Sequence, residues 1–204
     1  MNLNFVEIGT SNFDTLIQKA SDKVYGMSIE PISEYLNQLP NPPNVIKLNC
    51  AVSFDDTESD IEIYYIPENI INDEQLPAWL KGCNSIGKYH LKHVEYNLEK
   101  FVKIEKVKQI PIAVILKTNN IESIEFLKID TEGGDTFILK NLFKYLKNKN
   151  KTYYPKKITF ESNRLSKKED VDEVINLYIS LGYKLVKRKL DTTLVLCGGG
   201  EHDK

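Results

Sequence analysis

Three carboxylates and a lysine crowd the stretch Lys-Ile-Asp-Thr-Glu-Gly-Gly-Asp, residues 128 to 135. Asp130, Glu132 and Asp135 at that spacing repel one another unless a cation, a proton or a helix N-terminus offsets their charge. Such a cluster can take a proton from a reacting group or help hold a divalent ion. It also has an ordinary reading, in which Asp135 caps a helix and the other two face water. A second constellation lies near the start. Gly9, in Glu-Ile-Gly-Thr-Ser-Asn (7 to 12), permits a tight turn and a close approach of backbone to a ligand, and Glu30 stands 21 residues later. An acid about twenty residues beyond a glycine turn is where a nucleoside ribose finds a bidentate acceptor. Together the two features favour nucleoside binding over a plain turn and a surface acid. His90 and His93, three apart, have a spacing that can share a metal on a helix. With no third ligand near in sequence they read as a solvated or acceptor-facing pair. His93 is a candidate general base, since imidazole titrates in the useful range.

These residues need a frame. Apolar, β-rich runs bounded by turn residues predict strands over 4–8, 24–29, 45–52, 124–130 and 156–161. Helical periodicity predicts helices over 12–22 (Ser11 or Asn12 as cap), 31–39 (Pro31 in the first turn), 135–148 and 166–182. In the last of these, Ser166 and Glu169 have capping-box spacing and Gly182 closes the helix. The alternation predicts an α/β fold with a parallel sheet. Residues 60–66 alternate like an edge strand, and 68–108 carry no clear pattern, as befits an acceptor-side insertion. The last two runs, 183–190 and 192–197, are joined by little more than Asp191, so they must pair antiparallel. In open α/β sheets ligands bind beyond the carboxyl ends of the strands. Gly9, Glu30 and Asp130 all stand at such ends, and a helix after Gly9 would present free N–H groups there.

The bulk numbers exclude several classes. With 41% hydrophobic and 27% charged residues among 204, a sizeable core is expected, and the length suits one domain over 1–197 with a flexible tail at 198–204. A net charge of -2 gives no field toward nucleic acid or an anionic membrane. Cys50, Cys83 and Cys197 are an odd set without C-x-x-C spacing, which points to thiols in a reducing compartment. The N-terminus lacks the pattern of a signal peptide, and the longest apolar run, 110–116, is too short to span a bilayer. A soluble, cytoplasmic protein is expected. The lysine- and tyrosine-rich run at 144–157 reads as the wet end of a helix and its loop, with contact to a phosphorylated acceptor or single-stranded nucleic acid as the other reading.

At these residues the chain resembles the FkbM-type methyltransferases, a family of S-adenosylmethionine-dependent enzymes with a Rossmann-like, class I fold. FVEIGTSNFDT (5–15) is similar to the family's first motif, SIEP (28–31) to its ribose-binding acid, and FLKIDTEGGDTFIL (126–139) to its Leu-Lys-Ile-Asp-x-Glu-Gly signature. VSFDDTESDIEIYYI (52–66) and ITFESN (158–163) fit its later strands, so the likeness covers residues 4 to 196. The resemblance implies a single-domain fold with a mostly parallel seven-stranded sheet ending in an antiparallel hairpin. It further implies that Glu7, Gly9, Thr10, Ser11, Asn12 and Phe13 surround the methionine part of the cofactor. Glu30 and Pro31 would hold the ribose, Ala51 and Val52 flank the adenine, and Asp130 lie by the amino-methionine group or the acceptor. Ser11 and Phe13 replace glycines common in class I enzymes, so Phe13 would pack over the cofactor. Asn49 and Cys50 stand where an acid often contacts the adenine amino group.

The expected reaction is transfer of a methyl group from S-adenosylmethionine to a hydroxyl of a sugar, glycan precursor or other small molecule. No (N/D)PP(Y/F) stretch follows strand 124–130, which favours oxygen over nitrogen as acceptor. Asp130, Glu132 and His93 are the candidates for catalysis. Asp130 with Glu161 and Asn163 could also hold a divalent cation. Two other readings stay open: an NAD-dependent oxidoreductase, which Glu30 would suit equally, and a cofactor-binding scaffold without catalysis.

Overall fold

In the computed structural model, which describes residues 1–197, strand and helix alternate at both ends of the chain around a less regular middle. The strands are β1 (Asn2–Ile8), β2 (Gly26–Ile29), β3 (Val45–Leu48), β4 (Ala51–Val52), β5 (Ser59–Tyr65), β6 (Ser85–Ile86), β7 (Lys103–Ile110), β8 (Ser123–Ile129), β9 (Lys157–Glu161), β10 (Tyr183–Arg188) and β11 (Asp191–Leu196). The helices are α1 (Ser33–Gln38), α2 (Glu68–Asp73), α3 (Leu91–Glu95), α4 (Ile112–Thr118), α5 (Asp135–Leu146) and α6 (Lys168–Ser180). The tail expected at 198–204 lies outside the described residues.

The main sheet has seven strands in the order β10-β11-β9-β8-β1-β2-β3. β1, β2, β3, β8 and β9 pair in parallel, whereas β11 runs antiparallel to both β9 and β10. The two-residue link before Asp191 is too short for a crossover, so β11 turns straight back and inserts beside β9. The common dinucleotide-binding order, all parallel, has no place for such a strand.

Both faces of this sheet are covered. Val6, Ile8, Leu127 and Ile129 join a core that includes Ile138, Leu139, Leu142 and Leu146 of α5 and Val171, Val174 and Ile175 of α6. These helical positions recur at three- and four-residue spacing, the stripe an amphipathic helix turns inward. Burying each Leu or Ile contributes about 1.5–3 kcal/mol. Phe5 packs on the other side with Ile17, Leu36 and Leu39. Among the described residues no helix is long and apolar enough to cross a membrane; the apolar run 110–116 instead ends β7 and opens α4.

A second sheet, ordered β4-β7-β5-β6, rises from the middle of the chain. The strand expected over 45–52 is two strands in two sheets, broken at Asn49 and Cys50. There the Asn49 amide donates to the carbonyls of Glu30 and Pro31 at 3.0 and 2.8 Å, turning the chain out of the main sheet. β5 is not an edge strand; it lies between β7 and β6 and pairs with β7 along its whole length. Ile63 and Tyr65 of β5 pack on Ile32 and Tyr35, and the Tyr35 hydroxyl donates to the Ile66 carbonyl at 2.8 Å, which ties the second sheet to α1.

Helix starts differ from the sequence reading. α1 begins at Ser33, two residues beyond Pro31. α6 begins at Lys168 with no side-chain cap, and the Ser166 hydroxyl has no partner, so the capping box does not form. Gly182 does follow the helix, in the left-handed conformation (φ +99°) that favours glycine.

Candidate active site

Register sets the geometry. Ile8 lies beside Ile29 of β2 and Ile129 of β8, so Gly9, Glu30 and Asp130 leave three adjacent strands at one level. This is the carboxyl end of the sheet, at the point where chain order reverses across β1. Gly9 has φ +76°, and a Cβ there would stand 1.9 Å from the Asp130 carbonyl oxygen. Only glycine lets the loop cross the end of β8 so closely.

The helix expected over 12–22 is absent. Ser11 and Asp14 adopt left-handed φ values of +48° and +50°, a geometry that cannot begin a right-handed helix. Only a single 3-10 turn, Ile17–Lys19, forms. Two buried acids take loop N–H groups instead. Glu30 Oε2 accepts from the Ser11 amide at 2.6 Å and Oε1 from the Ile32 amide at 2.9 Å, joining the loop to the start of α1. Glu30 is 2% exposed, and this burial pushes its carboxyl up to about 7. Glu7 accepts from the Leu16 amide at 2.8 Å and from Lys128 Nζ at 2.9 Å.

One cleft gathers most of the residues singled out from the sequence. Gly9, Thr10, Ser11, Phe13, Glu30, Pro31, Ala51, Val52, Asp130 and Glu132 all line it. Glu7 and Asn12 do not. Glu7 is fully buried beneath the loop, where Lys128 reaches it from the cleft wall, and Asn12 turns away to donate to Glu68 Oε2 at 2.8 Å. The cavity within the cleft measures about 200 Å³ and opens to solvent. Ile29, Val52 and Phe54 give it an apolar wall. Gly134 makes room for Phe54, since a Cβ there would meet the ring at 2.1 Å.

Apart from Ile63 of β5, a further wall comes from the stretch that sequence patterns left unassigned. Ile63, Gly82, Asn84, Ser85 and Ile86 project from the second sheet and the turn before β6. The turn-forming run Gly-Cys-Asn-Ser at 82–85 was the only signal of it. Asn84 donates to the Lys81 carbonyl at 2.9 Å, which leaves its buried Oδ1 without a partner.

At the β8 end the acids converge. One carboxylate oxygen each of Asp130, Glu132 and Glu161 lies within 4.8 Å of the others. Glu132 sits at φ +54°, a conformation costing a bulky residue on the order of 1 kcal/mol. Asp135 is not a helix cap. Its carboxylate accepts from the Thr131 amide and hydroxyl at 2.9 and 2.5 Å and from the Glu161 amide at 2.8 Å, joining β8 to β9. Burial pushes Asp135 up to about 6 and Glu161 to about 8, the latter raised further by Glu132 and Asp130. Asp130 meets solvent in the cleft, yet protein surrounds it on the remaining sides. That loss of hydration, with Asp135 behind it, raises its carboxyl to about 7. Asn163 points its amide at Glu161 while its Oδ1 accepts from the Leu165 amide at 2.7 Å, so its oxygen is committed elsewhere.

The histidines are neither solvated nor among the residues that line the cleft. His93 is fully buried, and burial pushes its imidazole down to about 4. It packs against His90, with ring centres 5.7 Å apart, and does not line the cleft. His90 is the one that reaches the acids: its Nε2 lies 3.5 Å from Glu132 Oε2. At the lysine-rich end of α5 and its following loop, Lys149 lies over the rings of Tyr145 and Tyr153, and Lys144 and Lys156 pair with Asp56 and Glu125.

Searches of curated proteins and of solved structures returned no match. The family model described as "Methyltransferase FkbM domain" matches residues 7–185, from the first glycine loop through α6 into β10. That span includes the cleft and every acid that faces it, and the chain belongs to the FkbM methyltransferase family.

Proposed function

We propose that this protein transfers a methyl group from S-adenosylmethionine to a hydroxyl of a sugar, a glycan precursor or another small molecule. The observation that carries the reading is the convergence of Gly9, Glu30 and Asp130 at one level of the sheet, inside one cleft. The residues present suit the cofactor. Glu30 offers a carboxylate whose two oxygens each accept one N–H and retain a lone pair for a ribose diol. Ile29, Ala51, Val52 and Phe54 supply apolar surface for a purine, and Phe13 flanks the loop. Bound there, S-adenosylmethionine supplies an electrophilic methyl on sulfur.

The chain supplies position and a proton acceptor, the two things an in-line displacement requires. As the acceptor oxygen bonds to the methyl carbon and the sulfur–carbon bond breaks, the hydroxyl proton must leave. Asp130, raised to about 7 by lost hydration, has the basicity to receive it near neutral pH. Glu132 faces the same space. His93 is withdrawn as the base by its burial. The turn at 82–86 forms a wall beside the loop, and we assign the 68–108 insertion to the acceptor side. A cytoplasmic setting agrees with three free cysteines. Incubation with methyl-labelled S-adenosylmethionine and a panel of glycosides and other hydroxylated small molecules tests the proposal. Label in an ether product supports it; label only on nitrogen, or none with any acceptor, counts against it.

A further inference from the structure

We propose that Asp130, Glu132 and Glu161 form a binding site for a hard divalent cation of the Mg²⁺ or Mn²⁺ class, with His90 as the residue that positions Glu132. An all-oxygen set suits such ions, and oxygens bound at ~2.1 Å around one centre stand within ~4.2 Å of each other. Here the three carboxylate oxygens lie within 4.8 Å of one another, somewhat wider than a bound ion would hold them, so small side-chain rotations must close the set.

Lys128 offsets part of the charge at Asp130 from a distance, and His90 stands 3.5 Å from Glu132, but neither hydrogen-bonds to the three acids. Lys128 gives its ammonium to Glu7 at 2.9 Å. Asp135 is saturated by Thr131 and the Glu161 amide, so it is outside the ligand set. The Asn163 amide reaches only one oxygen of Glu161; the other, Oε2, is buried without a partner.

An independent feature points the same way. His90 is 7% exposed, and its Nε2, which has no hydrogen-bond partner, aims at Glu132 Oε2 from 3.5 Å. Its Nδ1 accepts from the Lys92 amide at 3.1 Å, so in the neutral ring the proton sits on Nε2 and faces the carboxylate. The His90 Nε2–H therefore faces Glu132 without a formed hydrogen bond, and His90 is not a metal ligand. A carboxylate that gives one oxygen to an ion and the other to a fixed donor is held in orientation, as ligands of bound metals commonly are. Asp130 and Glu132 both line the cleft, so the open coordination positions face it. Binding of the cation stands apart from the proposed function; its place beside a methyl acceptor rests on that reading. In a loaded site Asp130 would be a ligand and a weaker base, while the ion acidified the acceptor hydroxyl.

The test is electron paramagnetic resonance of Mn²⁺ titrated into the full chain after dialysis against a chelator. Circular dichroism and an S-adenosylhomocysteine titration are run on the same samples. Wild type should bind one Mn²⁺ per chain, and Asp130→Asn and Glu161→Gln should each weaken it on the order of 10-fold or more. His90→Leu should weaken it on the order of 10-fold, and His90→Gln, which keeps an N–H donor near the Nε2 position, should recover most of that loss. Asp172→Asn, on α6, should change nothing. A full free-ion signal with wild type overturns the site, as does undiminished affinity in both acid variants with native dichroism. If the acid variants fail to fold, the His90→Leu and His90→Gln pair decides: equal affinity in wild type and both removes the proposal. S-Adenosylhomocysteine binding without Mn²⁺ binding removes the cation site alone. Mn²⁺ binding without S-adenosylhomocysteine binding removes the methyl-transfer reading alone.

Discussion

Glu30 holds two backbone amides with one carboxylate, and the structure changes what its substitution should do. From sequence, a ribose ligand replaced by glutamine would keep one acceptor and lose little. With both oxygens accepting backbone N–H groups, Glu30→Gln sets an NH₂ donor against either Ser11 or Ile32. A buried donor left facing a donor costs about 1–3 kcal/mol, so Glu30→Gln should lower the melting temperature measured by calorimetry. The raised carboxyl of Glu30 also has a pH signature. At about 7 it lies above its ordinary value of 4.5, so the stability it contributes is full below pH 4.5 and is lost as pH rises through 7. His93, held near 4, works oppositely, its contribution being full above about 6.5 and lost on acidification. Between about pH 6.5 and 8.5 the Glu30 contribution is therefore isolated from that of His93. Melting temperature should fall with pH across that window, and the fall should be shallower in Glu30→Ala. Asp130 answers to a different measurement. Asp130→Asn should lower turnover by ~10²–10⁴ with the melting temperature little changed. A rate equal to wild type would remove Asp130 from the chemistry. Glu30 and Asp130 were legible in the sequence because each follows a clear strand. The His90–Glu132 pairing was not, because it joins residues 42 apart through a loop with no periodicity.

At the level of elements, strands announced themselves more reliably than helix starts. In β8 and β9 the buried Leu127, Ile129, Ile158 and Phe160 alternate with less buried neighbours, the two-residue period of a strand. The expected helix at 12–22 failed because local periodicity says nothing of Glu7 and Glu30, which take the Leu16 and Ser11 amides from other strands. The strand at 45–52 split for a similar reason: its apolar pattern runs on through Cys50, but Asn49 is held by the carbonyls after β2. The loop that replaces the first helix makes a sharp demand at Gly9. Gly9→Ala would force a Cβ against the Asp130 carbonyl at a positive φ. It should reduce both melting temperature and nucleoside affinity. Leu142→Ala in α5 separates these two readouts. Leu142 is fully buried, so its loss should cost about 2–5 kcal/mol in denaturant unfolding. Ligand affinity of the folded fraction should stay as in wild type.

For the molecule as a whole, the parallel sheet with its inserted last strand was readable from the short link at Asp191 and from alternation upstream. The second sheet was not. Its strands β5 and β7 are 37 residues apart in sequence between Tyr65 and Lys103, and their pairing is a long-range contact that no local pattern records. This sheet and the turn before β6 build the wall of the cleft beside the glycine loop, and that wall is where sequence reasoning was least informative. The nucleoside side is better defined and is the part on which the account turns. Titration calorimetry with S-adenosylhomocysteine addresses it directly. Wild type should bind at one site per chain with a dissociation constant on the order of micromolar, and the melting temperature should rise with ligand concentration. Glu30→Ala, where it remains folded, should bind about 10–100-fold more weakly. No heat and no thermal shift with wild type at millimolar ligand would contradict the assignment of this cleft to S-adenosylmethionine.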